Sequence, residues 1–132
     1  GEVKTDVFIS YSWSTKEQSK QIHSMLVSSG FGCWLDEKQM HGGVDLFASI
    51  DKGIRQASVV VALVSEGYIK SKNCIREFSL ASDLEKRIIP ILIDQISWPP
   101  AGALGPLMTG KLYIQYVQGA EQKIVEAIRR CM

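Results

Sequence analysis

The sequence predicts an α/β fold in three layers, a five-stranded parallel sheet with helices on both faces. Three observations predict it. Short apolar segments alternate with amphipathic helical patterns along the whole chain. The central segment, Val59 to Val64, is apolar on both parities, as a strand covered on both faces requires. Five strand–helix units fit into 132 residues, about one domain's worth of chain. For that length the flavodoxin-like strand order 2-1-3-4-5 is the expectation, by analogy with other folds of this class.

The elements follow in order. Asp6 to Ser10 reads as a short buried strand. Ser14 and Glu17 have the spacing of a capping box, and Ile22, Met25, Leu26 and Ser29 continue at helical spacing. Gly30 is placed to stop that helix. Phe31 to Leu35 is a second strand, followed by a polar loop from Asp36 to Asp45. Phe47, Ile50, Ile54 and Ala57 mark a second amphipathic helix. After Val59 to Val64, a third helix is expected over 73–86, with Asn73 a good N-cap. Ile88 to Ile93 is the fourth strand, although Pro90 is uncomfortable in a central position. Pro99, Pro100 and Pro106 mark a long loop, and Lys111 to Val117 is the fifth strand. The last helix carries Ile124, Val125, Ile128 and Cys131 on one face, with Arg129 and Arg130 near its negative end.

Composition removes several function classes. Fifteen Lys+Arg against fourteen Asp+Glu give a formal charge of +1, which argues against nucleic-acid binding through bulk positive charge. The run Val59 to Val64 is far shorter than the roughly 20 apolar residues of a membrane span, so no membrane contact is expected. Cys33, Cys74 and Cys131 are odd in number and far apart, which favours a reducing, cytoplasmic setting. The start at Gly1, with no signal peptide, leads us to expect one domain over 1–132 cut from a larger protein. His23 and His41 lack ligand spacing, so no metal is expected. No GxGxxG or Walker loop occurs, so no bound cofactor is expected.

In doubly wound sheets, ligands bind beyond the carboxyl ends of the strands, where the winding reverses. That rule selects Ser10-Tyr11-Ser12-Trp13, and the segment from Ser65 through Glu66 and Tyr68 into the third helix. A phosphoacceptor receiver domain would need acidic residues where Tyr11-Ser12 and Ser65 stand. A flavin-phosphate loop would want a glycine, and Ser10 to Thr15 has none. One residue stands out. At ~100° per residue, Glu77 falls inside the apolar arc of the third helix, between Leu84 and Ala81. A carboxylate there must be paired, neutralised or facing a cavity. The plainer alternative is a first-turn carboxylate favoured by the helix dipole and partnered by backbone or an arginine.

At these residues the sequence resembles the Toll/interleukin-1 receptor (TIR) domain family. Asp6 to Ser12 looks like the family's first box. Gly30-Phe31 through Trp34-Leu35-Asp36 to Gly43 looks like its second strand and "BB" loop. Ser71, Cys74 and Glu77 match its serine–cysteine–glutamate signature, with Asn73 where the family's tryptophan stands. The stretch Trp98-Pro99-Pro100 to Gly105 looks like an invertebrate and protist subgroup.

The resemblance implies a signalling domain of an innate-immune or cell-death protein that self-associates with other TIR domains. Members of one group in the family cleave NAD+ to nicotinamide and ADP-ribose or its cyclic form, and in them the residue matching Glu77 is catalytic. NAD+ would then be a substrate. Around Glu77 the resemblance places Ser10, Tyr11, Ser12, Trp13, Trp34 and Asn73 as substrate contacts. For Trp13 and Trp34 the alternative is a core or rim aromatic; for Ser10 it is a hydroxyl bonded to local backbone. The BB-loop residues Gln39, Met40, His41, Gly42 and Gly43 would carry homotypic contacts. Ser12 and Trp13 replace basic residues of the axonal enzyme, and the loop lacks the proline common in Toll receptors. The competing reading is a non-catalytic TIR–TIR scaffold. One carboxylate suits the chemistry, because nicotinamide leaves a cationic pyridinium as a neutral group and needs no acid.

Overall fold

A computed structural model of the chain describes residues 5–35 and 44–132, the side chains of 44–48 excepted. The strands are β1 (Thr5–Ser10), β2 (Cys33–Trp34), β3 (Ala57–Val64), β4 (Arg87–Leu92) and β5 (Ile114–Gln115). The helices are α1 (Lys16–Ser28), α2 (Val44–Gln56), α3 (Glu66–Lys70), α4 (Lys72–Asp83), α5 (Gly105–Met108) and α6 (Ala120–Arg130). All strand pairs are parallel, in the order β2-β1-β3-β4-β5. The predicted architecture and strand order therefore hold.

Alternation along the strands splits the core into two layers. Val7, Ile9, Val59, Val61, Leu63 and Ile91 pack against Ile22 and Leu26 of α1 and Ile124 and Ile128 of α6. Phe8, Val60, Ala62 and Val64 face the other way, onto α2, α3, α4 and α5. β1 and β3 have neighbours on both sides and are buried along most of their length, which is why they read as unbroken apolar runs.

Several boundaries differ from expectation, each for a physical reason. The capping box does not form. Ser14 bonds the Ser12 hydroxyl at 2.8 Å, Trp13–Thr15 makes a 3₁₀ turn, and α1 starts one residue after Thr15. Ala57 is not on a helix face but opens β3, paired with Thr5. Asn73 is not the N-cap of α4; Ser71 is, its Oγ accepting from the Cys74 N–H at 3.2 Å. β2 and β5 are two residues each, because the edges are paired only at Val7–Phe8 and Ile91–Leu92. Gly30 does end α1, at φ +94°, with the Phe31 N–H donating to the Leu26 carbonyl.

Pro90 finds its place at that short edge. The Leu92 carbonyl accepts from the Tyr116 N–H at 2.8 Å, whereas the Ile93 N–H donates to Val64. Even-numbered residues of β4 therefore face β5, and the nitrogen of Pro90 points beyond the end of that strand. A missing N–H costs nothing there. Among the described residues no helix is long and apolar enough to cross a membrane.

Candidate active site

Glu77 lies in the second turn of α4, on the face turned to the sheet, and is 3% exposed. Burial of a carboxylate is tolerated only with hydrogen-bonding partners. Ser10, the last residue of β1, donates its hydroxyl proton to Glu77 Oε1 at 3.0 Å. The Tyr68 hydroxyl of α3 lies 2.8 Å from the same Ser10 Oγ. Because the single proton of Ser10 is committed to the carboxylate, Tyr68 is the donor in that second bond. Tyr68 is fixed in turn by Ser65, the N-cap of α3, whose Oγ accepts its backbone N–H at 3.0 Å.

Glu77 also contributes to the wall of a surface groove of about 250 Å³ between α2 and α4. Ile50, Asp51, Asn73, Arg76 and Leu80 complete its lining. Its charge is felt nearby. Burial chiefly pushes the Cys74 thiol up to about 12; the Ser71 bond pulls it down, and the Glu77 carboxylate adds to the rise. Burial, with help from Cys74 and Glu77, raises Tyr68 well above an ordinary phenol, which keeps it a proton donor. A carboxylate held in a fixed plane beside an open groove can stabilise a cation developing on a bound sugar.

The TIR family, described as "TIR domain", matches residues 7–131 of the chain. This chain is a TIR domain. A probable 2′ cyclic ADP-D-ribose synthase of Brachypodium distachyon is 31% identical over 96 residues, covering 71% of this chain and 43% of that protein. An NAD(+) hydrolase of Paracoccus denitrificans is 29% identical over 112 residues, covering 81% of this chain and 37% of its own. The chain thus spans less than half the length of both relatives. The TIR domain of a Toll-related receptor from Hydra magnipapillata superposes with a TM-score of 0.73 at 16% identity. That match covers 96% of this chain and 99% of the other, and shows a shared fold.

The expected substrate contacts of this TIR domain divide by position. Ser10 meets Glu77 through its hydrogen bond, and Asn73 and Glu77 both line the groove. Ser10 faces neither open substrate space nor its local backbone; it is fully buried and serves the carboxylate. Tyr11 is 2% exposed and packs in the opposite core layer with Ile9 and Ile22, so parity turns it away from Glu77. Ser12 sits at the switch point, bonded to Ser14 and 3.4 Å from Ser65. Trp13 is 58% exposed, with Lys16 Nζ 4.5 Å from its ring centroid, and is not among the residues lining the groove. Trp34 is half-buried and packs beside Phe8, against the backbone of Gly53 in α2, and is not among the residues lining the groove. Gln39, Met40, His41, Gly42 and Gly43 lie outside the described residues. Asp51 and Arg76 were not among the expected site residues, and Tyr68 was expected only as part of the segment selected at the switch point. Arg76 and Asn73 precede Glu77 on α4 by one and four residues; the switch-point rule selects the segments that hold Ser10 and Tyr68 but does not pair these side chains, 58 residues apart.

Proposed function

We propose that this TIR domain cleaves the nicotinamide–ribose bond of NAD+, with Glu77 as the catalytic residue, and signals through association with further TIR domains. One observation carries the reading: Glu77, whose buried carboxylate is oriented by a hydroxyl donor, is among the residues lining an open groove. The similarity to an NAD(+) hydrolase and a probable cyclic ADP-ribose synthase supports the same chemistry.

In this mechanism NAD+ enters with its nicotinamide ribose against Glu77. The C1′–N bond breaks, its electron pair goes to the pyridinium nitrogen, and nicotinamide departs neutral. The carboxylate stabilises the oxocarbenium ion left on the ribose. Water adds at C1′ and loses a proton to solvent by way of the carboxylate, giving ADP-ribose; attack by a group of the same molecule gives a cyclic product. In this reading Asn73 and Arg76, which line the same groove, contact the ribose and the adjoining phosphates.

The groove alone is smaller than the ~300–1,000 Å³ of most small-molecule sites. We assign the remaining walls to a neighbouring copy, and the homotypic contacts to Met40 and His41. A second apolar groove of about 520 Å³ between β4, α6 and the segment before β5 supports self-association. Leu112 stands 92% exposed at its edge, as partner-seeking surfaces do. We place the domain in the cytosol, where its free thiols persist.

The test is nicotinamide release from NAD+ by concentrated wild-type domain and by Glu77→Gln. The amide oxygen introduced by that substitution still accepts the Ser10 proton, so the fold is expected to stand while release falls to background. Equal release by both proteins would leave the second reading, a non-catalytic scaffold. That reading is favoured by the Tyr68–Ser10–Glu77 chain being a satisfied buried network in its own right.

A further inference from the structure

We propose that Tyr68, acting through Ser10, is a positioning residue for Glu77, so that three elements distant in sequence set the plane of one carboxylate. The inference deepens the NAD+-cleaving reading and rests on it for its kinetic consequence. Ser10 closes β1, Tyr68 lies in α3 and Glu77 in α4. The bonds run in one direction: Tyr68 O–H to Ser10 Oγ at 2.8 Å, then Ser10 O–H to Glu77 Oε1 at 3.0 Å. Ser10 and Tyr68 are wholly buried, so neither touches a substrate in the groove. Whatever they do for the reaction, they do through Glu77.

The direction of the chain has a consequence. A lone serine hydroxyl rotates among acceptors, and its proton is then shared. Tyr68 occupies the acceptor side of Ser10 and leaves its proton one destination, the carboxylate oxygen. Tyr68 itself has little freedom. Its ring is packed among Ala62, Val64, Cys74, Phe78, Leu104 and Met108, and its N–H is tied to the α3 N-cap. The rigid part of the fold therefore reaches the carboxylate through two short bonds. A hydrogen bond to a charged group is worth enough that its loss lowers a rate by roughly 10- to 100-fold.

Three variants test this: Ser10→Ala, Tyr68→Phe and the pair together. We expect Ser10→Ala to lower kcat for nicotinamide release by roughly 10- to 100-fold with KM within about two-fold. Tyr68→Phe should lower kcat by a smaller factor. The double variant should be no slower than Ser10→Ala alone, because Tyr68 acts only through Ser10. Losses that multiply, or that fall on KM, would overturn the proposal. NMR of the same proteins separates it from the function it rests on. The carboxyl 13C resonance of Glu77 should move in both single variants, and the Tyr68 hydroxyl proton should exchange faster in Ser10→Ala. If wild-type domain releases no nicotinamide, the NAD+ reading fails; unmoved resonances overturn the positioning role whether or not the domain is active.

Discussion

Glu77 announces itself in the sequence because a helix repeats every 3.6 residues, and a carboxylate at that phase falls among leucines and alanines. Its partners show there only as segments, which the switch-point rule selects without pairing their side chains. Ser10 and Tyr68 are 67 and 58 positions from the residues they bond, and only the packing of α3 and α4 on the end of the sheet brings them together. Tyr11 shows the same rule from the other side. Alternation along β1, carried one residue past its end, puts Val7, Ile9 and Tyr11 on one face and Phe8 and Ser10 on the other, so the sequence already held the information that separates Tyr11 from Glu77. The thiols yield a residue-level prediction. Burial holds Cys74 up to about 12, and burial with Asp6 holds Cys33 up to about 11, so both stay protonated near neutrality. Brief iodoacetamide treatment of the folded domain at pH 8 should label Cys131, with Cys74 and Cys33 labelled only after denaturation; peptide mass spectrometry reads the order.

Elements depend on close contacts that patterns do not display. Gly53 sits within α2, where alanine would ordinarily stabilise a helix by about 1 kcal/mol. A Cβ there would lie 2.9 Å from the Phe8 ring and 3.0 Å from Trp34. Phe8 is fully buried and cannot swing aside, and overpacking of this kind costs about 1–3 kcal/mol. Gly53→Ala is therefore expected to lower Tm by a few degrees in thermal unfolding followed by circular dichroism, against the sign that propensity gives. Glu85 offers the opposite case. It takes a left-handed φ of 56° just past the end of α4, a position that favours glycine. Glu85→Gly should raise Tm modestly. Lys86 then ties the end of α2 to the start of β3, its Nζ donating to the carbonyls of Arg55 and Ala57 at 2.9 Å each. The five strands and main helices were legible from periodicity. The short lengths of β2 and β5 were not, since edge pairing depends on the neighbouring strand's register.

At the scale of the molecule, buried protonated groups tie stability to alkali. Cys33 and Cys74 ionise near 9.0 when unfolded, but at about 11 and about 12 when folded. The phenol of Tyr68 is likewise raised from 10.0. Their stabilising effect is complete below about pH 9 and is lost as pH rises through the folded values, because the unfolded chain then binds fewer protons. Tm should be flat near neutrality and fall between pH 9 and 12 in a series of thermal scans. Assembly belongs to this scale too. If neighbouring copies complete the groove, nicotinamide release per domain should rise with protein concentration. Leu112→Asp, on the exposed apolar groove, should flatten that rise and shift sedimentation towards the monomer.

The one-dimensional pattern determined the layer architecture, the helix that carries the acidic group and the family to which the chain belongs, because periodicity and short motifs are local properties of a polymer. Tertiary structure alone decided which hydroxyls serve Glu77, that Trp34 packs beside Phe8 and Gly53, and how far β4 is left open at its edge. Those depend on side-chain direction and strand register, which become fixed only when separate segments are packed against one another.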